Sequence, residues 1–432
     1  MSVLDASLLL LFVAMAFGWL FGRARRVVRW GVALVAGLAI WQLVSETFTW
    51  QFLPVYAGLV LLAALAVRGR AGWIGASALT ALVLGGVLAW TVLAVPRLSQ
   101  PSGPYQVGTV IWRWVDAARA EDATEAPDDR RNVVAQAWYP AQQSGGAKSV
   151  YMDGLGRLPA RVSLLPGFVF RRFGEVDTHA RVAAPVSRAQ ARWPVIVFSP
   201  GYGAPRAFYT SLVADLASRG FVVIALDHPY EGPATELADG RLAIPIERFL
   251  PGDPDRIRYM ETRLKPRVGD VRFVIDQLQA SPANDRLRAS LDLSRLAVVG
   301  HSFGGATAAA VLAVDSRPSA GADLDGMLYG GVERARLQRP FLLIESDHAV
   351  TRHQPLYFAK RDAVLAGLAS LGEQFEIRGT NHYSFTDAEA FFAPLARPVV
   401  RRLVGGSRPS AHAERIVADK LQGWLLKSWR AA

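Results

Sequence analysis

The chain has 432 residues, with 48 Lys and Arg against 37 Asp and Glu, and no cysteine. That length exceeds one ordinary compact domain, so two or more units are expected. The missing cysteines exclude a disulfide framework, a thiolate metal site and a cysteine nucleophile. The net charge of +11 raises nucleic acid as a partner, but no interleaved aromatic and basic motif of the kind such modules use is present. Anionic lipid fits that charge better.

Residues 1–98 stand apart in composition, with seven arginines and two acids, Asp5 and Glu46. Four apolar stretches lie there: Val3–Phe21, Val27–Val44, Phe52–Val67 and Trp73–Val95. About 20 helical residues cross the hydrocarbon layer. The first and fourth stretches meet that length, and the second and third need their flanks. Trp30, Trp41, Trp50, Tyr56, Trp73 and Trp90 fall mostly near the ends, where amphipathic rings settle at the interface. The expectation is therefore a four-helix transmembrane segment over residues 1–95. The first loop carries Arg23, Arg25, Arg26 and Arg29, and the third Arg68 and Arg70, whereas the second, Ser45 to Gln51, has one acid and no base. Positive loops stay cytoplasmic, which places both ends of the bundle, and the domain that follows, outside the cytoplasm. The arginines follow the first apolar run instead of preceding it, which argues against a cleaved leader. Asp5, near a helix end, is expected to be solvated.

Pro96–Pro104 is rich in Pro, Ser and Gly and is expected as a linker, with the second domain over 105–432. Val107–Val115 and Asn132–Tyr139 have the character of strands. Residues 141–192 are irregular, rich in Gly, Arg and Pro, and hold Phe168, Phe170 and Phe173; they are a candidate cap or lip. Strands are then expected at Pro194–Ser199, Phe221–Asp227, Arg295–Val299, Phe341–Ile344 and Phe375–Ile377. Helices are expected at Phe208–Arg219, at Asp255–Leu278 with Pro266 as a point of interruption, at Gly304–Val314 and at Asp362–Leu371. Buried strands alternating with helices indicate an α/β fold with a mostly parallel central sheet covered on both faces.

The strand Leu296-Ala297-Val298-Val299 runs into Gly300-His301-Ser302-Phe303-Gly304-Gly305 and then into Ala306-Thr307-Ala308-Ala309-Ala310. This is G-x-S-x-G between a strand and a helix, the setting of a serine nucleophile on a strained turn. Side chains two residues either side of that serine would clash, and Gly300, Gly304 and Gly305 relieve the crowding. In the α/β-hydrolase fold the acid and the histidine follow the serine. His382 emerges directly after the strand Phe375–Ile377 and is the expected general base. His348 and His353 lie too close to the preceding strand, and His412 is expected at the surface. Position alone leaves the acid open between Asp325 and Asp347, with Asp323 a solvated turn residue. The oxyanion hole needs two backbone N–H donors. Phe303 supplies one, and Tyr202, in Phe198-Ser199-Pro200-Gly201-Tyr202-Gly203, the other. His228, at a strand end, is expected at the rim. No metal-ligand spacing and no phosphate-binding glycine loop occurs, so no metal or cofactor is expected.

Four segments resemble the plasma-type platelet-activating-factor acetylhydrolases, calcium-independent phospholipases A2 of the α/β-hydrolase class. Val197-Phe198-Ser199-Pro200-Gly201-Tyr202-Gly203-Ala204 is similar to the family's first oxyanion loop, with Pro200 in place of the usual histidine. Asp215-Leu216-Ala217-Ser218-Arg219-Gly220-Phe221-Val222-Val223 resembles the helix and strand that follow. Ala297–Thr307 is similar to the nucleophile elbow almost residue by residue, and Ile377-Arg378-Gly379-Thr380-Asn381-His382 to the segment bearing the family's histidine. The resemblance spans roughly residues 100–430 and leaves out the amino-terminal helices. It implies that Leu324-Asp325 carries the triad acid and that Asp347 lies outside the triad. It also implies a serine ester hydrolase without cofactor, acting on short or oxidised sn-2 acyl chains of phospholipids. Dienelactone-hydrolase-like or polyester-type small-ester hydrolysis, and acyl transfer by the same triad, are the alternatives.

Overall fold

The structure, a computed structural model, describes residues 3–21, 25–45, 50–68, 72–92, 95–142, 146–158, 173–246, 253–280 and 285–431. Arg23, Glu46, Arg70, Phe168 and Phe170 lie outside these. The chain divides into two compact units, one of residues 1–95 with 391–396 and one of 96–390 with 397–432.

The first unit holds the helices α1 (Val3–Leu20), α2 (Arg25–Ser45), α3 (Leu53–Arg68) and α4 (Trp73–Val92). Arg25, Arg26 and Arg29 fall in the first turns of α2 and not in a loop. Leu8, Phe12, Val35, Phe52, Val55, Leu62 and Leu79 form the interior, while Leu10, Trp30, Leu34, Ile40, Val60 and Leu84 are exposed. Two helical spans among the described residues, Trp50–Arg68 and Trp73–Thr91, are long and apolar enough to cross a membrane; Leu4–Leu20 and Trp30–Ser45 are apolar but shorter. Asp5 is not solvated. It is buried and accepts a hydrogen bond from Gln42 Nε2 at 3.2 Å, and Gln42 Oε1 in turn accepts from the Tyr56 hydroxyl. An acid among apolar helices is tolerated only with such a partner, and Gln42 is too distant along the chain for any local pattern to reveal it.

The second unit is built on a nine-stranded sheet. Its strands are β1 (Gln106–Ala120), β2 (Arg130–Ala141), β3 (Ala180–Val182), β4 (Trp193–Ser199) and β5 (Val222–Asp227). A separate two-stranded ribbon, β6 (Thr235–Glu236) and β7 (Leu242–Ala243), follows, and then β8 (Leu291–His301), β9 (Ala320–Leu324), β10 (Phe341–Ser346) and β11 (Gly372–Ile377). The order across the large sheet is β11-β10-β9-β8-β4-β5-β2-β1-β3. From β11 to β5 all pairings are parallel, and β2 turns antiparallel against both β5 and β1. One face is covered by α6 (Arg256–Gln279), α7 (Phe303–Val314) and α8 (Pro355–Leu368), the other by α5 (Thr210–Ser218) and α9 (Ser410–Ala431). Val195, Val197, Ile224 and Val298 fill the first interface and Ile196, Phe198, Val223 and Val299 the second, the period-two alternation of a sheet buried on both sides.

Three expectations change. α6 runs through Pro266 without interruption; the burial of Met260, Leu264, Val271 and Val274 on one face outweighs the roughly 3 kcal/mol that an interior proline costs. β9 was not foreseen, because Ala-Gly-Ala-Asp-Leu has neither an apolar run nor β-branched residues. α8 begins at Pro355 and not at Asp362, with proline in the first turn where its missing N–H has no helical acceptor to lose. Within 141–192, β3 pairs with β1 and forms the edge of the sheet, and Phe173 is buried.

Ile224 is fully buried at the centre of the sheet, while Ile257 on α6 is exposed. Ile224→Ala is expected to destabilise the second unit by about 2–5 kcal/mol and Ile257→Ala by less than about 0.5 kcal/mol, read from urea or thermal unfolding.

Candidate active site

Ser302 stands between β8 and α7 with φ 56° and ψ −122°. Its N–H donates to the Leu324 carbonyl at the end of β9, 2.8 Å away, so the strained turn is tied to the neighbouring strand. The crowding expected around it is present. A Cβ at Gly300 would lie 2.1 Å from the Gly304 carbonyl carbon, and one at Gly304 would lie 1.9 Å from the Ser199 carbonyl oxygen. Both obstacles are backbone and cannot swing aside.

Ser302 Oγ is 3.0 Å from His382 Nε2, and His382 Nδ1 is 2.7 Å from Asp325 Oδ2. The histidine lies in the turn His382–Phe385 beyond β11, whose entry is fixed by Asn381: its side chain accepts from Tyr383 N–H while the Ser384 hydroxyl accepts from the Asn381 N–H. Asp325 directly follows β9, itself at φ 57°, with its N–H on the Ile344 carbonyl. Its other oxygen, Oδ1, accepts from the Ser346 N–H at 2.7 Å and lies 3.2 Å from His353 Nε2. Burial pushes the Asp325 carboxyl up, but the hydrogen bonds from His353 and His382 outweigh that and hold it well below the usual carboxylate range. With Asp325 ionised, His382 carries its proton on Nδ1 and presents Nε2 as an acceptor to the Ser302 hydroxyl. A hydroxyl so placed can pass its proton to the imidazole as it attacks a carbonyl.

Asp347 is turned elsewhere: its carboxylate accepts from the Ala349 and Gly379 N–H groups at 2.9 and 2.8 Å. Asp323, expected as a solvated turn residue, is fully buried within β9, and burial and the Asp325 charge push its carboxyl well above the ordinary range. His228 is not at a rim. It is buried, with Nδ1 2.9 Å from Asp270 and Nε2 2.9 Å from Ser199 Oγ. His412 is exposed.

Phe303 opens α7, where helix N–H groups have no acceptor within the helix. Tyr202 belongs to the loop after β4, and its ring meets Tyr259 and Phe303 edge to face. The loop lies against Ser302, since a Cβ at Gly201 would be 3.4 Å from Ser302 Cβ. The Gly201 N–H donates to the Tyr209 hydroxyl, which lies 2.9 Å from His301 Nδ1; His301 Nε2 is 3.0 Å from the His382 carbonyl. A neutral His301, accepting at Nδ1 and donating at Nε2, satisfies this whole series. It joins the Tyr202 loop to the loop of His382.

His353, His301 and Tyr209 were not foreseen as parts of the site. For His301 the signal was its place inside the G-x-S-x-G motif. For His353 and Tyr209 the contacts span strands distant in sequence and leave no local signature. Among the described residues no three His, Asp or Glu side chains gather as a metal site.

The family model described as platelet-activating factor acetylhydrolase, isoform II, matches residues 93–237 and 265–404, and one for the alpha/beta hydrolase fold matches residues 194–320. The chain is 26% identical over 285 residues to a platelet-activating factor acetylhydrolase of Canis lupus familiaris, covering 58% of this chain and 62% of that protein. It is 32% identical over 138 residues to a probable 1-alkyl-2-acetylglycerophosphocholine esterase of Arthroderma benhamiae, covering 32% of each. The chain thus spans 62% of the length of the canine relative. Among solved structures it is similar to a ferulic acid esterase from Streptomyces cinnamoneus, with TM-score 0.63 and 26% identity over 78% of this chain and 94% of that one. The fold is that of the α/β hydrolases.

Burial, with His382 alongside, lowers His301 from 6.5 to about 3. Between those values the unfolded chain binds a proton that the folded one refuses, so stability falls as pH drops through that window, by up to about 1.4 kcal/mol per pH unit. His301→Gln, which keeps a donor and an acceptor but cannot ionise, is expected to flatten this acid limb; unfolding midpoints compared at neutral pH and near pH 5 measure it.

Proposed function

We propose, since the chain belongs to the platelet-activating factor acetylhydrolase, isoform II family, that it is a serine carboxylic ester hydrolase acting on short or oxidised sn-2 acyl chains of phospholipids. The observation that carries this reading is the hydrogen-bonded series Ser302–His382–Asp325 on a strained elbow beside the Tyr202 loop. Ser302 is the nucleophile, His382 the general base and Asp325 the acid. As Ser302 Oγ bonds to the ester carbonyl carbon, its proton moves to His382 Nε2, and the carbonyl oxygen becomes an oxyanion received by the N–H groups of Phe303 and Tyr202. His382 returns the proton to the departing alcohol. Water then attacks the acyl-enzyme carbonyl as His382 takes its proton, the Ser302 Oγ–acyl bond breaks, and His382 returns the proton to Ser302 Oγ as the carboxylic acid leaves. Asp325 stays ionised throughout and stabilises the imidazolium.

Residues 1–95 act in this reading as a four-helix membrane segment joined through 96–104 to a catalytic domain over 105–432 on the non-cytoplasmic side. The exposed Leu10, Leu34, Ile40, Val60 and Leu84 support burial in lipid, and the arginines clustered where α1 passes to α2 and α3 to α4 support the orientation. A membrane anchor would keep the site beside its lipid substrate. The likeness to a ferulic acid esterase favours a second reading, hydrolysis of small soluble esters.

Purified wild type is expected to cleave p-nitrophenyl acetate and butyrate faster than octanoate, and Ser302→Ala to lose roughly 10⁴-fold or more in kcat. Phospholipids with acetyl and long sn-2 chains then separate the readings: preference for the acetyl lipid supports the first, and turnover of soluble esters alone supports the second. Inactivity of wild type on all of them overturns both. Because the chain has no cysteine, an exposed Ala335→Cys reports sidedness directly. A membrane-impermeant maleimide should label it in intact cells, and labelling only after lysis would reverse the orientation.

A further inference from the structure

The Tyr202 loop is held from beneath by a side chain that touches no part of the Ser302–His382–Asp325 series. Arg267 lies on α6, almost wholly buried, and its Nη1 donates to the Pro200 carbonyl at 2.7 Å and its Nη2 to the Gly201 carbonyl at 3.2 Å. The same guanidinium binds Glu231 Oε2 through Nε at 2.9 Å and Nη2 at 2.7 Å, which neutralises its buried charge. Its flat face lies 4.6 Å from the centre of the Phe303 ring. One turn further along α6, Asp270 holds His228, which holds the Ser199 hydroxyl at the start of the loop.

Between Ser199 and Tyr202 the backbone has three groups able to hydrogen-bond, since Pro200 has no N–H. All three are taken: the Gly201 N–H by Tyr209, the Pro200 carbonyl by Arg267, and the Gly201 carbonyl by Arg267 together with the Ala204 N–H, also 3.2 Å away. The Gly201 carbonyl and the Tyr202 N–H belong to one peptide plane, and that peptide is trans, so the two point in opposite directions. Drawing the carbonyl toward α6 turns the N–H away from α6. We propose that Arg267 is the positioning residue of the oxyanion hole: by gripping the Gly201 and Pro200 carbonyls it fixes the Tyr202 N–H in the direction of the developing oxyanion. The inference rests on the hydrolase reading and adds to it a fixed peptide plane governed from a helix outside the triad.

An oxyanion donor acts in the transition state and little in the ground state, so its misdirection lowers kcat and leaves KM nearly unchanged. Arg267→Lys keeps the charge beside Glu231 but cannot span two carbonyls. It is expected to lower kcat on p-nitrophenyl acetate about tenfold or more with KM within about threefold. A trifluoromethyl ketone, which forms a tetrahedral adduct on Ser302, should bind more weakly by the same factor. The pH profile of kcat/KM should not move, because His382 and Asp325 are untouched. The double variant Arg267→Met with Glu231→Leu leaves no unpaired buried charge and is expected to lose about 10²–10³-fold in kcat. Near-UV circular dichroism and melting show which variants fold; if the double variant does not, Arg267→Lys carries the test. A folded variant with kcat within about threefold of wild type overturns the positioning role, as does a loss accompanied by a shifted pH profile. With wild type active, either result counts against Arg267 alone. A wild type inactive on every ester fails the hydrolase reading and takes this inference with it.

Discussion

Ser302 holds a backbone conformation that costs an L-residue about 1–3 kcal/mol, and the surrounding chain is arranged to keep it there. β8 delivers it, α7 leaves it, and the Leu324 carbonyl of β9 receives its N–H. Because Leu324 is followed directly by Asp325, the bond that steadies Ser302 also sets the position of the carboxylate. Asp325 is then fixed twice more, through its own N–H on Ile344 and through Ser346 N–H on its side chain. Serine and acid therefore belong to one rigid piece of the sheet, and only His382 comes from a turn outside it.

Two buried acids two residues apart carry opposite electrostatic settings. Asp323 has one backbone donor, from Gly326, and burial favours its neutral form. Asp325 meets His382, His353 and the Ser346 N–H, and these favour its charge. A second ionised carboxylate so near would raise the proton affinity of the first. Keeping Asp323 neutral removes that repulsion and leaves the Asp325 charge directed at the imidazoles.

The elbow was legible because everything it needs is local: an apolar strand, small residues at fixed offsets and a following helix. His382 was legible for a similar reason, as a histidine downstream of the serine in the loop just after the expected strand Phe375–Ile377. The choice between Asp325 and Asp347 was not legible from position and needed the family resemblance, because β9 is too short and too poor in apolar residues to declare itself. Without β9, Asp325 has no strand end to stand on. Asp5, Asp323 and His228 were misjudged in the same direction. Each is polar and was expected in contact with solvent, yet each is buried, Asp5 with Gln42 and His228 with Asp270, partners that sequence spacing cannot reveal. Arg267 is the extreme case. An arginine in a charged helix reads as solvent-facing until the carbonyls of a distant loop are seen against it.

His301 occupies a position that the motif leaves unspecified, yet its ring must accept at one end and donate at the other to join Tyr209 to the His382 carbonyl. That requirement narrows the residue alphabet at this site as tightly as the glycines narrow theirs. A side chain that only donates, only accepts or does neither would leave one of the two loops unanchored. The variable letter of the motif is, in this chain, a coupling between the loop of Tyr202 and the loop of His382. Drift at 301 would therefore have to be matched by drift at 209, and the two positions are expected to change together or not at all.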